Sequence, residues 1–341
     1  MANSIEFAKN YTNILDRVYQ KAAVSTCLNS GQRMVRAGRN AKEIMIPRVE
    51  VSGLGDYVRN EGYKTGSINY SYETHTFGYD RAIRLFADVM DVEESGVLDC
   101  FVAAGGELQR TQVAPEGDAY TFSQIASTEG VDVKTDDFAA ASAEDVLAEL
   151  RAVTSSMDEH QVSTGSRILF ITPTLKGLVD DFSAANPNRS NRVLERFNRI
   201  VEVPQVRFYT AIDLLSGDND QFGYQKAAGD YELTSDTEVD SAKTYYTRSG
   251  SEGSYTYAPV ESPTKSGLAN YYELAGAGRD INFMVVEKSA VIKFDKHVAS
   301  RVFSPDELEA LDSYMLKYRK YGIVSVLENK LDGVHVSAAA E

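Results

Sequence analysis

Two long extended segments joined by a polar loop constrain this chain most, because they cannot form a core by themselves. The segments are Glu43–Val51 and Ile68–Thr76, and the loop at 53–66 contains four glycines. Pro47 marks the first segment as an edge strand. Strict alternation in the second segment places five side chains on one face: Ile68, Tyr70, Tyr72, Thr74 and Thr76. A two-stranded ribbon is marginally stable alone, so we expect this one to lie on the chain's own body or on a neighbouring copy.

A long helix is predicted to follow the ribbon. Asp91 is placed as its N-cap, with Glu94 three residues later in the pattern of a capping box. Apolar residues then recur at helical spacing to about Gln112, which predicts a rod about 30 Å long. Pro115 is expected to stop or kink this helix, before a short helix at about 118–126.

The composition of the chain excludes several classes of protein. The chain has 341 residues, of which 43% are hydrophobic, and a net charge of −15. This acidic balance argues against a wholesale nucleic-acid binder. No apolar run reaches the roughly 18 residues that a membrane helix needs, and the first residues lack the apolar core of a signal peptide. Cys27 and Cys100 follow no disulfide or metal spacing, so we expect reduced, buried thiols.

The first forty residues are predicted to form an arm. Apolar residues at helical spacing indicate an amphipathic helix at about 7–22. Basic residues outnumber acidic ones in 1–48, although the whole chain is acidic. A basic arm on an acidic body suits contacts between copies. A solvated arm with no such role is the alternative.

Residues 142–185 predict an α/β unit with its own core. Ser142 precedes a helix, 166–171 reads as a short buried strand, and 172–174 begins a second helix. The inner stripe of the first helix contains Val146, Leu147, Leu150, Val153 and Met157. The stretch 201–212 is again strand-like.

Further strands are predicted towards the end of the sequence. Two β-runs, at 283–286 and 290–294, flank a Lys-Ser turn. A long strand is predicted within 314–327, and the run at 333–336 is expected to close a hairpin.

Residues 229–277 differ from the rest in being rich in Tyr, Ser, Thr and Gly. They contain the near-repeat YYTRSG at 245–250 and YYELAG at 271–276. Tyrosines alternating between turn residues predict a small β-rich module. If this module were removed, the pattern of apolar and polar residues before and after it would be unchanged, which indicates that the module is an insertion. Its composition is compatible with surface recognition, and structural bracing is the other interpretation.

No arrangement of residues indicates catalysis or metal binding. There is no phosphate-binding loop and no nucleophile elbow. Four histidines share no metal-ligand spacing with one another or with cysteines: His75, His160, His297 and His335. We therefore expect a protein that is not an enzyme, with no cofactor and no metal.

Six stretches, together with the order of the elements, carry a resemblance to a known family. They are IPRVEVSGLGDYVRNEGY (46–63), ETHTFGYDRAIRLFADVMDVEES (73–95), ILFITPTLKGLVDD (168–181), VEVPQVRFYTAIDL (201–214), DINFMVVEKSAVIKFDKH (280–297) and YGIVSVLENKLDGVHV (321–336). Outside the module at 229–277, the chain resembles the major capsid proteins of tailed bacteriophages, which have the Hong Kong 97-type fold.

This resemblance implies an α+β fold with defined parts. They are an N-terminal arm (1–40), an extended β-hairpin loop (41–90), a peripheral domain with a long spine helix (about 91–135 and 283–325), an axial α/β domain (about 136–228 and 326–341) and an inserted β-rich surface module (229–277).

The resemblance also implies a function and partners. Such proteins assemble as pentamers and hexamers into the icosahedral head shell that encloses the phage dsDNA, without sequence-specific binding and without a membrane. We expect a virion protein made in the bacterial host cytoplasm, a portal, and a separate scaffolding protein because the chain opens directly with the arm. The residues expected at subunit contacts are Tyr57, Arg59, Tyr63, Lys64, Tyr70 and Tyr72.

Two alternatives stay open at this point. The chain could be an encapsulin-like shell of a cellular compartment, or a carbohydrate-binding protein or enzyme that uses the tyrosine-rich module. Some relatives cross-link a loop lysine to a neighbour's asparagine. Lys64 is the lysine at the loop tip here, and no motif identifies a partner for it.

Overall fold

The computed structural model describes residues 22–29, 36–37, 43–57, 59, 63–90, 105–138, 140–186, 192–240, 243–251, 254–297, 301–303 and 313–340. The chain divides into two compact units. The first is Met1–Ala114 with Lys288–Lys330, and the second is Pro115–Glu287 with Leu331–Glu341. The predicted helix of the arm and the predicted helix start at Asp91 lie outside the described residues.

Strands and helices are mixed along the chain. The strands are β1 (Arg36–Ala37), β2 (Glu43–Val51), β3 (Ile68–Thr76), β4 (Tyr79–Asp88), β5 (Asp132–Thr135), β6 (Arg167–Ile171), β7 (Arg199–Glu202), β8 (Ile212–Leu214), β9 (Tyr224–Lys226), β10 (Asp230–Leu233), β11 (Tyr246–Ser251), β12 (Ser254–Pro259), β13 (Tyr271–Ala275), β14 (Ile281–Glu287), β15 (Val291–His297), β16 (Arg301–Phe303), β17 (Ser313–Val326) and β18 (Val334–Ala338). The α-helices are α1 (Ala114–Ala126), α2 (Ala143–Glu159) and α3 (Pro173–Ala185).

The predicted ribbon is present with both predicted strands. β2 and β3 pair antiparallel over their whole length, from Glu43 opposite Thr76 to Val51 opposite Ile68. β1 pairs with the start of β2 alone, at 44–45. Beyond that point β2 has no second neighbour among the described strands. The strand order β1-β2-β3 places β2 between two neighbours at its start, and the edge position predicted from Pro47 stays a prediction.

A second sheet in the first unit is built on β17. The long strand predicted within 314–327 is confirmed, since β17 covers Ser313–Val326. One side of β17 pairs with β4, and the other side pairs with β16 and then with β15. The sequence assigned all of 41–90 to the hairpin loop, but Tyr79–Asp88 pairs with β17 instead. Strand pairing between distant segments leaves no periodic signal in either segment alone, which explains the error.

The second unit contains a five-stranded sheet in the order β5-β18-β14-β6-β7. β6 is fully buried, as its apolar run predicts. The helix predicted from Ser142 is confirmed as α2, and Ser142 and Asp145 form a capping box. All five residues of its predicted stripe lie in one core with residues of α3, β6 and β14.

One prediction about this sheet is wrong. β18 does not close a hairpin with β17, because it pairs antiparallel with β14 and parallel with β5. The assignment of 91–135 and 283–325 to a peripheral domain stays a prediction. β5 and β14 lie in the same sheet as β6, since β14 is buried along almost its whole length and needs neighbours on both sides.

Two further local predictions differ from the structure. The stretch 201–212 is not one strand, because β7 ends at Glu202 and a 3₁₀ turn follows at Gln205–Arg207. Pro204, which cannot donate to a strand ladder, lies between them. Pro115 does not stop the helix, because a π-helical turn at Gln109–Val113 leads directly into α1. π-turns are a known way to accommodate a disrupted helical ladder.

The tyrosine-rich stretch 229–277 forms a four-stranded antiparallel sheet. Its strand order is β10-β13-β11-β12. The prediction of strands in this segment is confirmed.

Candidate subunit-contact surface

One side of the ribbon is an exposed apolar surface, which we call the ribbon face. Its members are Val49, Val51, Ile68, Tyr70 and Tyr72. Val49 lies opposite Tyr70 and Val51 lies opposite Ile68, so these side chains share one side of the ribbon. Their exposed fractions range from 42% for Tyr72 to 75% for Ile68. The described part of the chain therefore leaves this apolar face uncovered.

The other side of β3 is polar and better protected. Ser71, Glu73 and His75 are half-buried, whereas Ile68, Tyr70 and Tyr72 are exposed. An antiparallel sheet with one solvated side normally buries its apolar side. The ribbon does the opposite, which is typical of a surface that another molecule covers.

The base of the loop is closed by two hydrogen bonds. The Ser52 N–H donates to the Ser67 carbonyl oxygen at 3.0 Å, and the Ser67 N–H donates to Ser52 Oγ at 2.8 Å. A Cβ at Gly66 would collide with Ser52 Oγ, so a larger residue there would displace this hydroxyl from its hydrogen bond to Ser67. Further out, a Cβ at Gly55 would lie 3.1 Å from Lys64 Cβ, which shows that the Lys64 stem crosses the loop backbone closely.

The loop tip also presents apolar side chains to solvent. The rings of Tyr57 and Tyr63 lie 5.1 Å apart, and Tyr63 is 90% exposed. Leu54 is fully exposed beside them. Arg59 and Lys64 are exposed in the same loop. The tip thus combines aromatic rings with two cations.

The structure groups the six residues predicted at subunit contacts into two places. Tyr57, Arg59, Tyr63 and Lys64 lie in the loop, and Tyr70 and Tyr72 lie on the ribbon face with their rings 5.2 Å apart. Leu54, Val49 and Val51 are exposed in the same two places and were not among the predicted residues. The cross-strand register that places Val49 and Val51 beside the tyrosines is the signal that could have identified them.

A buried charge cluster fixes the turn at Val24–Leu28 to the sheet of the first unit. Lys293 and Lys320 are each 1% exposed, and their Nζ atoms lie 3.5 and 3.4 Å from the Asp295 carboxylate. Lys293 Nζ also donates to Ser25 Oγ at 2.5 Å. Lys320 Nζ lies 5.5 Å from the centre of the Tyr79 ring. Buried, paired charges of this kind position structure and do not by themselves indicate chemistry.

Five tyrosines cover one side of the sheet at 229–277, which we call the tyrosine face. They are Tyr231, Tyr246, Tyr255, Tyr257 and Tyr272. The rings of Tyr231 and Tyr257 stack 3.9 Å apart at 7°. The Arg248 guanidinium lies 4.3 Å from the Tyr255 ring and 4.9 Å from the Tyr272 ring. Several ring faces are therefore occupied by other groups of the same sheet, which supports bracing over sugar stacking.

The opposite side of this sheet carries a polar network. Lys243 Nζ donates to Asp236 at 2.9 Å and to Glu273 at 3.0 Å, and the Tyr245 hydroxyl donates to Asp236 at 2.7 Å. The hydrogen bonds from Lys243 and then from Tyr245 hold the pKa of Asp236 below its ordinary value. Each member thus has a charged or hydrogen-bonding neighbour, as a structural network requires.

Other buried polar groups also have structural partners. Asp118 is fully buried and accepts a hydrogen bond from Arg207 at 3.2 Å. Burial raises the pKa of Tyr224 to about 12, and its hydroxyl donates to the Val206 carbonyl oxygen at 2.8 Å. Within the described ranges, no three His, Cys, Asp or Glu side chains are grouped to hold a metal ion. No helix in those ranges is both long and apolar enough to span a membrane.

Comparison with known proteins gives matches to structures only. No protein family model matches this sequence, and no curated protein matches it. A chain in the asymmetric unit of the bacteriophage PhiM1 mature capsid has a TM-score of 0.51 and 14% identity, over 92% of this chain and 88% of that chain.

Two other phage structures are similar to the same degree. A chain of Mycobacterium phage Che8 has a TM-score of 0.50 and 10% identity, over 87% of this chain and 85% of that chain. A chain in the structure of the head fibre and inner core protein gp22 of native bacteriophage P68 has a TM-score of 0.50 and 10% identity, over 93% and 84%. At such identities the similarity concerns the fold. This chain therefore has the α+β fold of phage capsid structures, as the sequence resemblance predicts.

Proposed function

We propose that this chain is the major capsid protein of a tailed bacteriophage. Copies assemble as pentamers and hexamers into the icosahedral head shell that encloses the dsDNA genome. The observation that carries this proposal is the exposed ribbon face, because contiguous exposed apolar side chains on a fold found in phage capsids are typical of a surface that a partner covers.

A neighbouring copy is the partner that covers the ribbon face. Burying an aliphatic or aromatic side chain completely contributes about 1.5–3 kcal/mol, so five such residues offset a substantial cost of association. The ribbon lies on a different surface of the next copy, which makes the contact heterologous. Heterologous contacts close into rings when the rotation between copies permits it. Tyr57, Arg59, Tyr63 and Lys64 at the tip extend the same contact.

The parts of the chain take their roles from this assembly. The ribbon is the extended loop, the sheet on β17 belongs to the peripheral domain, and the sheet on β6 belongs to the axial domain, with β5 and β14 included in the latter. The stretch 229–277 is a module on the surface of the shell.

The charge of the chain suits a container for DNA. A net charge of −15 disfavours salt-dependent binding of the protein to DNA phosphates, which would hinder packing of the genome. The protein is made in the bacterial cytoplasm, assembles with a separate scaffolding protein and a portal, and resides in the virion.

Assembly of the purified protein tests this proposal. With or without its scaffold, the wild-type chain is expected to form uniform hollow particles in negative-stain micrographs. The double variant Val51→Asp, Ile68→Asp is expected to yield soluble subunits or capsomers, because two carboxylates cannot be buried unpaired in the contact. Asn69→Asp, on the polar side of β3, is the matched control and is expected to assemble.

Two results would contradict the proposal. One is a wild-type chain that stays monomeric in every condition, including with scaffold. The other is particles from the native source that hold an enzyme and no nuclease-protected DNA, which would identify an encapsulin-like compartment.

A further inference from the structure

The strand β12 is an unprotected edge of the four-stranded sheet. The strand order β10-β13-β11-β12 gives it a single neighbour, β11, within the described residues. Tyr255, Thr256 and Ala258 are exposed along it. Alternate residues of an edge strand direct their backbone N–H and C=O groups away from the sheet, where another strand can pair with them.

β12 differs from every other described edge strand in lacking a charged side chain. Its sequence is SYTYAP, without Asp, Glu, Lys, Arg or His. Charged residues on edge strands are a common protection against pairing with another chain. The other described edges each carry at least one: Arg36 in β1, Glu73 in β3, Asp80 in β4, Asp132 in β5, Arg199 in β7, Asp213 in β8, Lys226 in β9, Asp230 in β10, Lys293 in β15 and Arg301 in β16.

We infer that β12 pairs antiparallel with β12 of a second copy of this chain. Charge favours this occupant. Two copies that each carry −15 approach here without bringing like charges together. The opposite edge of the same sheet, β10, would place Asp230 and Glu232 against their counterparts. Pairing of identical edges is isologous and closes at two copies, so it does not propagate into fibres.

The alternation of β12 restricts the contact to registers in which a two-fold axis passes through a residue, and we place the axis at Thr256, near the middle of the strand. Residues directly opposite each other in an antiparallel pair lie on the same side of the sheet. A two-fold axis at Thr256 satisfies this rule and places Tyr255 opposite Tyr257 of the partner subunit. The two tyrosine faces then become continuous, and aromatic cross-strand pairs stabilise such contacts by about 0.2–1 kcal/mol each. Pro259 has no N–H, so it limits the length of the paired segment.

This contact is distinct from the contact made by the ribbon face. It rests on the proposed function only because assembly must bring two copies together. A shell brings copies close enough for a short strand pair to form. The strand pair would link modules of two-fold-related neighbours, whereas the ribbon face links copies heterologously.

Disulfide trapping tests the inference. Opposite Cα atoms in an antiparallel pair lie about 4.5–5.5 Å apart, a separation that a disulfide spans. Thr256→Cys is therefore expected to form a covalent dimer under mild oxidation, scored on a non-reducing gel. Thr247→Cys, on the adjacent interior strand β11, and Glu232→Cys, on the β10 edge, are the matched controls. Wild-type protein measures the background of covalent dimers formed through Cys27 and Cys100.

Facing thiols in one complex have an effective concentration on the order of millimolar, so Thr256→Cys is expected to cross-link about 100-fold faster than either control at about 10 μM protein. Thr256→Lys, which places two ammonium groups opposite each other, is expected to abolish the contact while particles still assemble through the ribbon. Equal cross-linking of Thr256→Cys and the controls overturns the inference, whether or not particles form. Absence of particles from wild-type protein bears on the proposed function instead.

Discussion

Arg167 shows how single residues hold the second unit together. Its side chain is fully buried, and its guanidinium lies 2.7 Å from Asp158 Oδ1. It also donates to the carbonyl oxygens of Val162, Ser163 and Thr154 at 2.7, 3.1 and 3.3 Å. These bonds join one carbonyl group within α2 and two carbonyl groups beyond its end to the start of β6. The arginine therefore works as a clamp between a helix and a strand.

Asp158→Asn is expected to destabilise the fold by removing the counterion of this clamp. Loss of one partner of a buried pair costs about 3–5 kcal/mol. Asp158 is partly exposed, so screening reduces the expected loss to about 2 kcal/mol. The urea midpoint at pH 7 measures it. Asp181→Asn, at an exposed position of α3, is the control and is expected to change the free energy of unfolding by less than about 0.5 kcal/mol.

The same pair predicts a pH dependence. Burial acts to raise the pKa of Asp158, but Arg167 and then Arg196 outweigh it and hold the pKa below the ordinary value of 3.8. A carboxyl with a lowered pKa in the folded state stabilises the protein above the unfolded pKa, and this contribution is lost as pH falls through the folded pKa. The stability difference between wild type and Asp158→Asn should therefore shrink below about pH 4. A difference that is equal at pH 7 and pH 3 would contradict the assignment.

At the scale of elements, α2 shows the link between sequence period and packing. Its apolar stripe faces the sheet, and Leu150 is fully buried between α3 and the strands. Its polar side, which includes Arg151, faces solvent. The helix is therefore held mainly by its buried stripe and its capping box.

Leu150→Ala is expected to lower the free energy of unfolding by about 3 kcal/mol, because it removes buried methyl groups and leaves a cavity. Chemical denaturation with a single transition measures this loss. Arg151→Ala, one residue further along the solvent side, is the paired control, with an expected change within about 0.5 kcal/mol. Similar losses for the two variants would show that the helix is oriented differently.

The elements that the sequence predicts well are those with a strong local period. β3, β6 and α2 were predicted with nearly the observed bounds, because alternation, a buried apolar run and a capped stripe are each readable within one segment. The partners of β4 and β18 were not predicted, because these strands pair with segments that are distant in the sequence, about fifty residues away for β14 and about two hundred for β5 and β17. In the contact surface, Tyr70 and Tyr72 follow from alternation, whereas Val49 and Val51 require the register between two strands.

At the scale of the whole molecule, the exposed ribbon face links stability to assembly. A partner that binds only the folded state raises the apparent stability of that state by RT ln(1 + [L]/Kd), where [L] is the free concentration of the partner. Assembled particles are therefore expected to melt at a higher temperature than dilute subunits of the same protein.

The double variant Val51→Asp, Ile68→Asp should melt at the temperature of dilute wild-type subunits at every concentration, because both positions are exposed in the single chain. Calorimetry across a hundredfold range of protein concentration provides the measurement. A variant that melts well below dilute wild-type subunits would show that the ribbon face is needed for folding and not for association.

The position of β18 has a consequence for synthesis. β18 is an inner strand of its sheet, between β5 and β14, yet about fifty residues follow β14 before it. On a ribosome that adds roughly 5–20 residues per second, β14 and β5 therefore wait on the order of seconds for the strand that joins them. During this interval the nascent polypeptide exposes an open gap in its central sheet. Chaperone engagement of this gap would keep unfinished chains from joining a growing particle.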